Sequence, residues 1–193
     1  MLTYLILGLL VFLGVHSIRI VADDWRSRSI ERIGEALWKG IYSAASLIGF
    51  VLIIWGYGEA RQQPVQLWSP PMGMPHLAAF LTWLAFVLLA GAYIPCNHFK
   101  ASWHHPMLLA TKFWALAHLL ANGTQAGVVL FGGFLVWAIV MFATARRRDR
   151  RNGVRYEFGL LSRSVASVLV GTLAWATFAF WLHGLLIGIL PLS

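Results

Sequence analysis

Charged side chains are scarce in this chain of 193 residues, since Asp, Glu, Lys and Arg together account for only 11% of it. An ordinary soluble domain carries about 25% charged residues. Hydrophobic residues make up 59% of the sequence, and its mean hydropathy is +0.71. So little charge cannot cover a surface that faces water. The composition therefore excludes a water-soluble domain and predicts a polytopic membrane protein.

Cysteine is nearly absent, and the single Cys96 excludes an internal disulfide and a metal site made of cysteines alone. Acidic residues are also few, with seven Asp and Glu in the whole chain. Tryptophan, by contrast, occurs ten times. This abundance fits a membrane protein because indole rings favour the interface between membrane and water.

The hydrophobic residues fall into six apolar stretches, each near the ~20 residues that an α-helix needs to cross a bilayer. They are residues 2–21, 36–57, 75–94, 103–122, 127–145 and 165–190. The first stretch has no basic segment before it and no small-residue cleavage site, so we expect a retained helix and not a removed signal peptide. The pattern predicts an all-α fold: a single transmembrane domain over residues 1–193, with six transmembrane helices in one bundle.

Basic residues are distributed unequally between the two sides of this arrangement. One side has only Arg61. The other side, formed by the first, third and fifth loops, carries Arg19, Arg26, Arg28, Arg32, Lys39, Lys100, Lys112, Arg146, Arg147, Arg148, Arg150, Arg151, Arg155 and Arg163. The positive-inside rule places these three loops in the cytoplasm and both termini outside. Because this rule accounts for the net charge of +8, we expect a lipid bilayer and no nucleic acid as the partner.

His118 lies within the fourth apolar stretch, which His105-Pro106 opens and Asn122-Gly123 closes. An ionisable group is costly in hydrocarbon and usually has a partner or a task there. By helical spacing Thr111, Ala115, His118 and Asn122 share one face. This polar or small face should point into the bundle, with the neighbouring leucines toward lipid. His118 is therefore the first candidate ligand, and the alternative is a histidine that only hydrogen-bonds across helices.

His16 is the natural companion of His118, because it lies inside the first stretch. Gly8 and Gly14 would let another element approach that helix closely, and Arg19 follows one turn later. Arg19 could reach the headgroups or pair with an acidic group of a ligand. We expect the remaining histidines to be interfacial or helix-capping residues. They are His76, His98, His104, His105 and His183.

Two imidazoles in an apolar bundle match the needs of a b-type haem, which requires two axial ligands and a large apolar slot. Zinc would need a third or fourth ligand, and the predicted spans contain no acidic residue. The depths of His16 and His118 differ by roughly 12 Å at ~1.5 Å per residue, so a haem between them would lie tilted. His105 is the alternative ligand should that geometry fail.

Several segments together resemble the bacterial NnrU family over about residues 1–150. They are HSIR at 16–19, GEALWKGIYS at 34–43, WGYG at 55–58, LWSPP at 67–71, HPMLL at 105–109 and WALAHLLANG at 114–123. The resemblance implies a bacterial inner-membrane protein that supports nitrite or nitric-oxide reduction in denitrification, with the corresponding reductase system as a partner.

The NnrU family is also similar to ζ-carotene isomerase, a haem-b membrane enzyme in which two histidines ligate the iron and a nearby cysteine can displace one of them. The best matches to those histidines are His16 and His118, whereas Ala115 stands in the place of the cysteine. The resemblance implies axial ligation by the two histidines, with Asn122 and Thr111 as their hydrogen-bond partners and Arg19 at a propionate. The alternatives are a haem-dependent cis-trans isomerase of a polyene and a structural subunit without haem, so enzymatic activity stays open.

Overall fold

The computed structural model describes residues 2–191, and it confirms the all-α prediction. Helices are numbered in chain order. They are α1 (Leu2–Val21), α2 (Asp23–Ile33), α3 (Glu35–Gln62), α4 (Met74–Tyr93), α5 (His98–Trp103), α6 (Pro106–Ala121), α7 (Gln125–Arg151), α8 (Leu161–Thr177) and α9 (His183–Ile187). A π-helical turn over Phe178–Leu182 joins α8 to α9.

Five helical segments are long and apolar enough to cross a membrane: α1, α3, α4, α7 and the continuous stretch Leu161–Ile187. The helix α6 is apolar but has 16 residues, which is about 24 Å at ~1.5 Å per residue and short of a hydrocarbon core of about 30 Å. Each of the six predicted stretches thus coincides with a helix. The fourth begins three residues later than predicted, because Pro106 opens α6 and His104 before it has a φ of +59°.

Two helices occur where the sequence suggested only loops, namely α2 and the short α5. In addition, α3 continues to Gln62 and α7 to Arg151, beyond the predicted ends at residues 57 and 145. Hydropathy locates only the apolar part of a helix. Arg, Lys, Glu and Gln are good helix formers, so these helices continue into polar sequence.

The chain divides into two compact units, and the first contains residues up to 67 together with residues 124–133. In this unit α1 and α3 pack as an antiparallel hairpin. The start of α1 contacts the later part of α3, and residues further along α1 contact earlier residues of α3. A Cβ on Gly56 would lie 2.2 Å from the Leu5 nitrogen, and one on Gly49 would lie 2.8 Å from the Phe12 nitrogen. The missing side chains thus let the two backbones touch.

The second unit contains residues 68–123 and residues from 134 onward. Here α4 packs against both α6 and α8. Two tryptophans cross-link α4 and α8: Trp83 Nε1 donates to Thr172 Oγ1 at 2.9 Å, and Trp175 Nε1 donates to Thr82 Oγ1 at 3.2 Å. The core between α4 and α6 includes the buried Ala85, Leu88 and Ala110. The prediction of one transmembrane domain stays a prediction.

Candidate functional site

His16 lies in the first unit, on the part of α1 that is nearer to α2. Its Nδ1 is 2.7 Å from the carbonyl oxygen of Phe12, one helical turn earlier. The ring is half-buried between Phe12, at a centroid distance of 4.3 Å, and Tyr42 of α3, at 5.4 Å. Aromatic rings from α1 and α3 therefore hold this imidazole in one orientation.

Arg19 follows His16 by one turn, in the last turn of α1, and its side chain is exposed. Within residues 2–191 its guanidinium forms no salt bridge. Arg19 therefore lies at the end of α1, one turn after the imidazole, and its role at a propionate stays a prediction.

His118 lies in the second unit, in the last turn of α6 and not in the middle of that helix. Its Nδ1 is 2.8 Å from the carbonyl oxygen of Trp114, again one turn earlier. The Trp114 ring lies 5.3 Å from the imidazole and in turn packs edge-to-face on Phe134 at 5.4 Å. The His118 ring is thus oriented in the same manner as that of His16.

The other members of the predicted polar face show different surroundings. The Thr111 hydroxyl donates to the Met107 carbonyl oxygen at 3.0 Å, so it bonds to its own helix. Asn122 is half-buried at the end of α6, and Ala115 is fully buried. Ala115 therefore packs in the core of its unit, whereas the roles of Thr111 and Asn122 as partners of a ligand stay predictions.

The protonation of both imidazoles follows from these contacts. A carbonyl oxygen has no hydrogen to donate, so Nδ1 of His16 and of His118 must carry the proton, and Nε2 holds the lone pair of the neutral ring. Histidines that ligate metals commonly donate their other ring nitrogen to a carbonyl or carboxylate, which fixes the tautomer and the ring. The donor chemistry of both residues therefore fits axial ligation of a haem iron through Nε2.

His105, the alternative ligand, is bonded differently. Its Nε2 lies 2.7 Å from Asp149 Oδ2, near the end of α7, so that nitrogen donates to a carboxylate. Only Nδ1 of His105 would remain to face an iron. In its neutral form His105 thus has the tautomer opposite to that of His16 and His118.

Asp149 also accepts a hydrogen bond from the Tyr156 hydroxyl. Burial first, and then the hydrogen bond to Asp149, together raise the pKa of Tyr156 to about 12. Next to this network, the His104 ring lies 4.1 Å from the Tyr156 ring, and His104 Nδ1 is buried without a hydrogen-bond partner among residues 2–191. Four polar side chains thus join α6, α7 and the following loop.

His98, His183 and Cys96 each have a polar partner outside this network. His98 Nδ1 lies 2.8 Å from Ser164 Oγ, and His183 Nδ1 lies 2.6 Å from the Ile189 carbonyl oxygen. The Cys96 thiol donates to Glu157 at 3.0 Å, and this bond is the main cause of the raised pKa of the thiol. Among residues 2–191, no group of three or more His, Cys, Asp and Glu side chains is arranged to hold a metal ion.

Sequence reasoning did not identify the network of His104, His105, Asp149 and Tyr156. One signal was present, since Asp149 is the only carboxylate within the run of arginines at 146–151. A single acidic residue within a run of arginines suggests an ion pair or hydrogen bond with a group elsewhere in the fold. The partner, His105, lies 44 positions earlier in the sequence, and no sequence pattern links the two residues.

Comparison with protein families shows that the chain matches the family described as NnrU protein over residues 4–191. Comparisons with curated proteins and with solved structures give no match. The family match extends through the last membrane-length segment and so covers nearly the whole chain.

Proposed function

Because this chain belongs to the NnrU family, we propose that it is a membrane protein that binds haem b and supports nitrite or nitric-oxide reduction. One observation carries the haem part of the proposal. His16 and His118 each donate Nδ1–H to the carbonyl four residues earlier, at 2.7 and 2.8 Å, which presents Nε2 as the basic nitrogen. Both residues lie inside segments that characterise the family resemblance.

In this proposal His16 and His118 are the axial ligands, and Arg19 holds a propionate. Haem supplies one-electron redox chemistry, and its potential depends on axial ligands, hydrogen bonds and burial. The chain contributes fixed imidazole orientations, through the Phe12 and Trp114 carbonyls, and an aromatic ring beside each imidazole. The second role, in nitrite or nitric-oxide reduction, rests on the family association.

Absorption spectroscopy tests the haem proposal. The chain, purified from haem-replete bacterial cells, should show a Soret band that shifts on reduction with dithionite, and pyridine extraction should identify b-type haem. His16→Ala and His118→Ala should each lower the haem content per chain at least about tenfold, because each removes an axial ligand. A colourless wild-type protein would overturn the proposal.

His183→Ala is the matched control, because His183 also lies in an apolar helix and also contacts a carbonyl oxygen through Nδ1. This variant should keep the wild-type spectrum. Equal loss of haem from His183→Ala and His118→Ala would show that the effect is not ligation. Cells that lack the gene should consume nitrite or nitric oxide slowly, and the wild type but not His118→Ala should restore the rate.

A further inference from the structure

A small recess opens on α2, the polar helix between the membrane-length helices α1 and α3. The recess has a volume of about 110 Å³, and it is lined by Trp25, Arg28, Ser29 and Arg32. These positions follow the spacing i, i+3, i+4 and i+7, so all four side chains lie on one face of the helix. A single helical face therefore forms the whole recess.

The recess carries two positive charges, those of Arg28 and Arg32. Within residues 2–191, neither Arg28 nor Arg32 forms a salt bridge. Arg28 donates Nε–H to the Asp24 carbonyl oxygen at 3.3 Å, and no acidic side chain lines the recess. Two guanidinium groups one turn apart, together with the Ser29 hydroxyl on the same helical face, match the charge and the oxygen atoms of a phosphate group.

The position of α2 along the chain places this recess at the edge of the membrane. Residue 22 alone separates α1 from α2, and residue 34 alone separates α2 from α3. The helix therefore lies at one end of the hairpin that α1 and α3 form. Trp25 packs on Trp38 of α3 with a ring-centroid distance of 5.6 Å, and indole rings favour the headgroup level.

We propose that this recess binds the phosphate of an anionic phospholipid headgroup. Arg28 and Arg32 hold the phosphate oxygens, and the Ser29 hydroxyl donates to them. A free phosphate ion has the same oxygen chemistry but no acyl chains. The exposed Trp25, Ile33 and Leu37, at 52%, 40% and 56%, offer the apolar contact that a lipid needs. This proposal is independent of haem and of denitrification.

Native mass spectrometry of the purified full chain, titrated with phosphatidylglycerol, tests the proposal. Wild type should retain one phosphatidylglycerol molecule in preference to phosphatidylcholine. The double variant Arg28→Gln/Arg32→Gln should bind it about tenfold more weakly, because two charge-assisted hydrogen-bond donors are lost. Size-exclusion chromatography checks that the variants are folded and monodisperse.

Arg26→Gln is the matched control, since Arg26 lies on the same helix but does not line the recess. It should retain phosphatidylglycerol as the wild type does. Equal weakening by Arg26→Gln would overturn the proposal, since net charge alone would then explain the effect. Full displacement of the lipid by equimolar inorganic phosphate would overturn it as well, because the site would then select a free anion.

Discussion

At the scale of single residues, backbone carbonyls determine what the membrane histidines can do. The Phe12 and Trp114 carbonyls fix the Nδ1–H tautomer of His16 and His118, whereas Asp149 fixes the other tautomer of His105. A helix supplies a carbonyl four residues before every histidine, but the rotamer decides whether the ring uses it. His16 and His118 both use it, so each presents Nε2 as the nitrogen without hydrogen in its neutral form.

The burial of Tyr156 and its hydrogen bond to Asp149 make stability depend on pH in a defined direction. The pKa of Tyr156 is raised from 10.0 to about 12 in the folded chain. Folding thus favours the protonated phenol. The contribution of Tyr156 to the free energy of unfolding is complete below pH 10 and is lost as the pH rises toward about 12. Wild type should therefore lose thermal stability over that interval, and Tyr156→Phe should lose less.

Tyr93→Phe is the control for this measurement, because Tyr93 is 74% exposed. Its unfolding temperature should follow that of wild type as the pH rises. A parallel decline in wild type and Tyr156→Phe would contradict the assignment. Differential scanning fluorimetry of the purified proteins in detergent gives the comparison.

At the scale of helices, close backbone contact holds α1 to α3. A Cβ on Gly56 would lie 2.2 Å from the Leu5 nitrogen, and backbone atoms cannot give way as a flexible side chain can. Gly56→Ala should therefore separate the two helices and destabilise the protein by about 1–3 kcal/mol, the usual cost of overpacking. Thermal unfolding in detergent would measure the loss.

Gly58→Ala tests whether the destabilisation by Gly56→Ala comes from the close helix contact or from replacing a glycine. A Cβ at Gly58 meets nothing within 4 Å. This variant should be neutral or slightly stabilising, since alanine is a better helix former than glycine by about 0.5–1 kcal/mol. Similar destabilisation by both substitutions would contradict the packing argument.

Hydropathy predicts some of these elements well and others not at all. It located all six apolar stretches, and the His105-Pro106 pair marked the start of α6, because proline fits the first helical turn. It could not indicate α2, which is polar, or the Tyr42 ring beside His16. Contacts between distant residues depend on how helices pack, and a single sequence carries little information about that.

At the scale of the whole molecule, whether the short α6 crosses the membrane determines whether the two termini lie on the same side. Five membrane-length segments alone would put the two termini on opposite sides, whereas six crossings put both on one side. The arginine-rich loops predict six crossings with both termini outside. Alkaline phosphatase fused to the C-terminus should be active, and green fluorescent protein fused there should be dark.

A fusion within residues 152–160 serves as the opposite control, because the basic loop that follows α7 is predicted to be cytoplasmic. There green fluorescent protein should fluoresce and alkaline phosphatase should be inactive. Fluorescence at both the loop and the C-terminus would mean that the prediction of six crossings is wrong.

The π-helical turn over Phe178–Leu182 changes the direction in which the end of the chain faces. The His183 amide donates to the Phe178 carbonyl, five residues back instead of four. One additional residue turns everything beyond it by about 100° around the helix axis. The wide turn thus rotates α9 about its axis relative to an uninterrupted α-helix, and within this rotated segment His183 Nδ1 lies 2.6 Å from the Ile189 carbonyl oxygen.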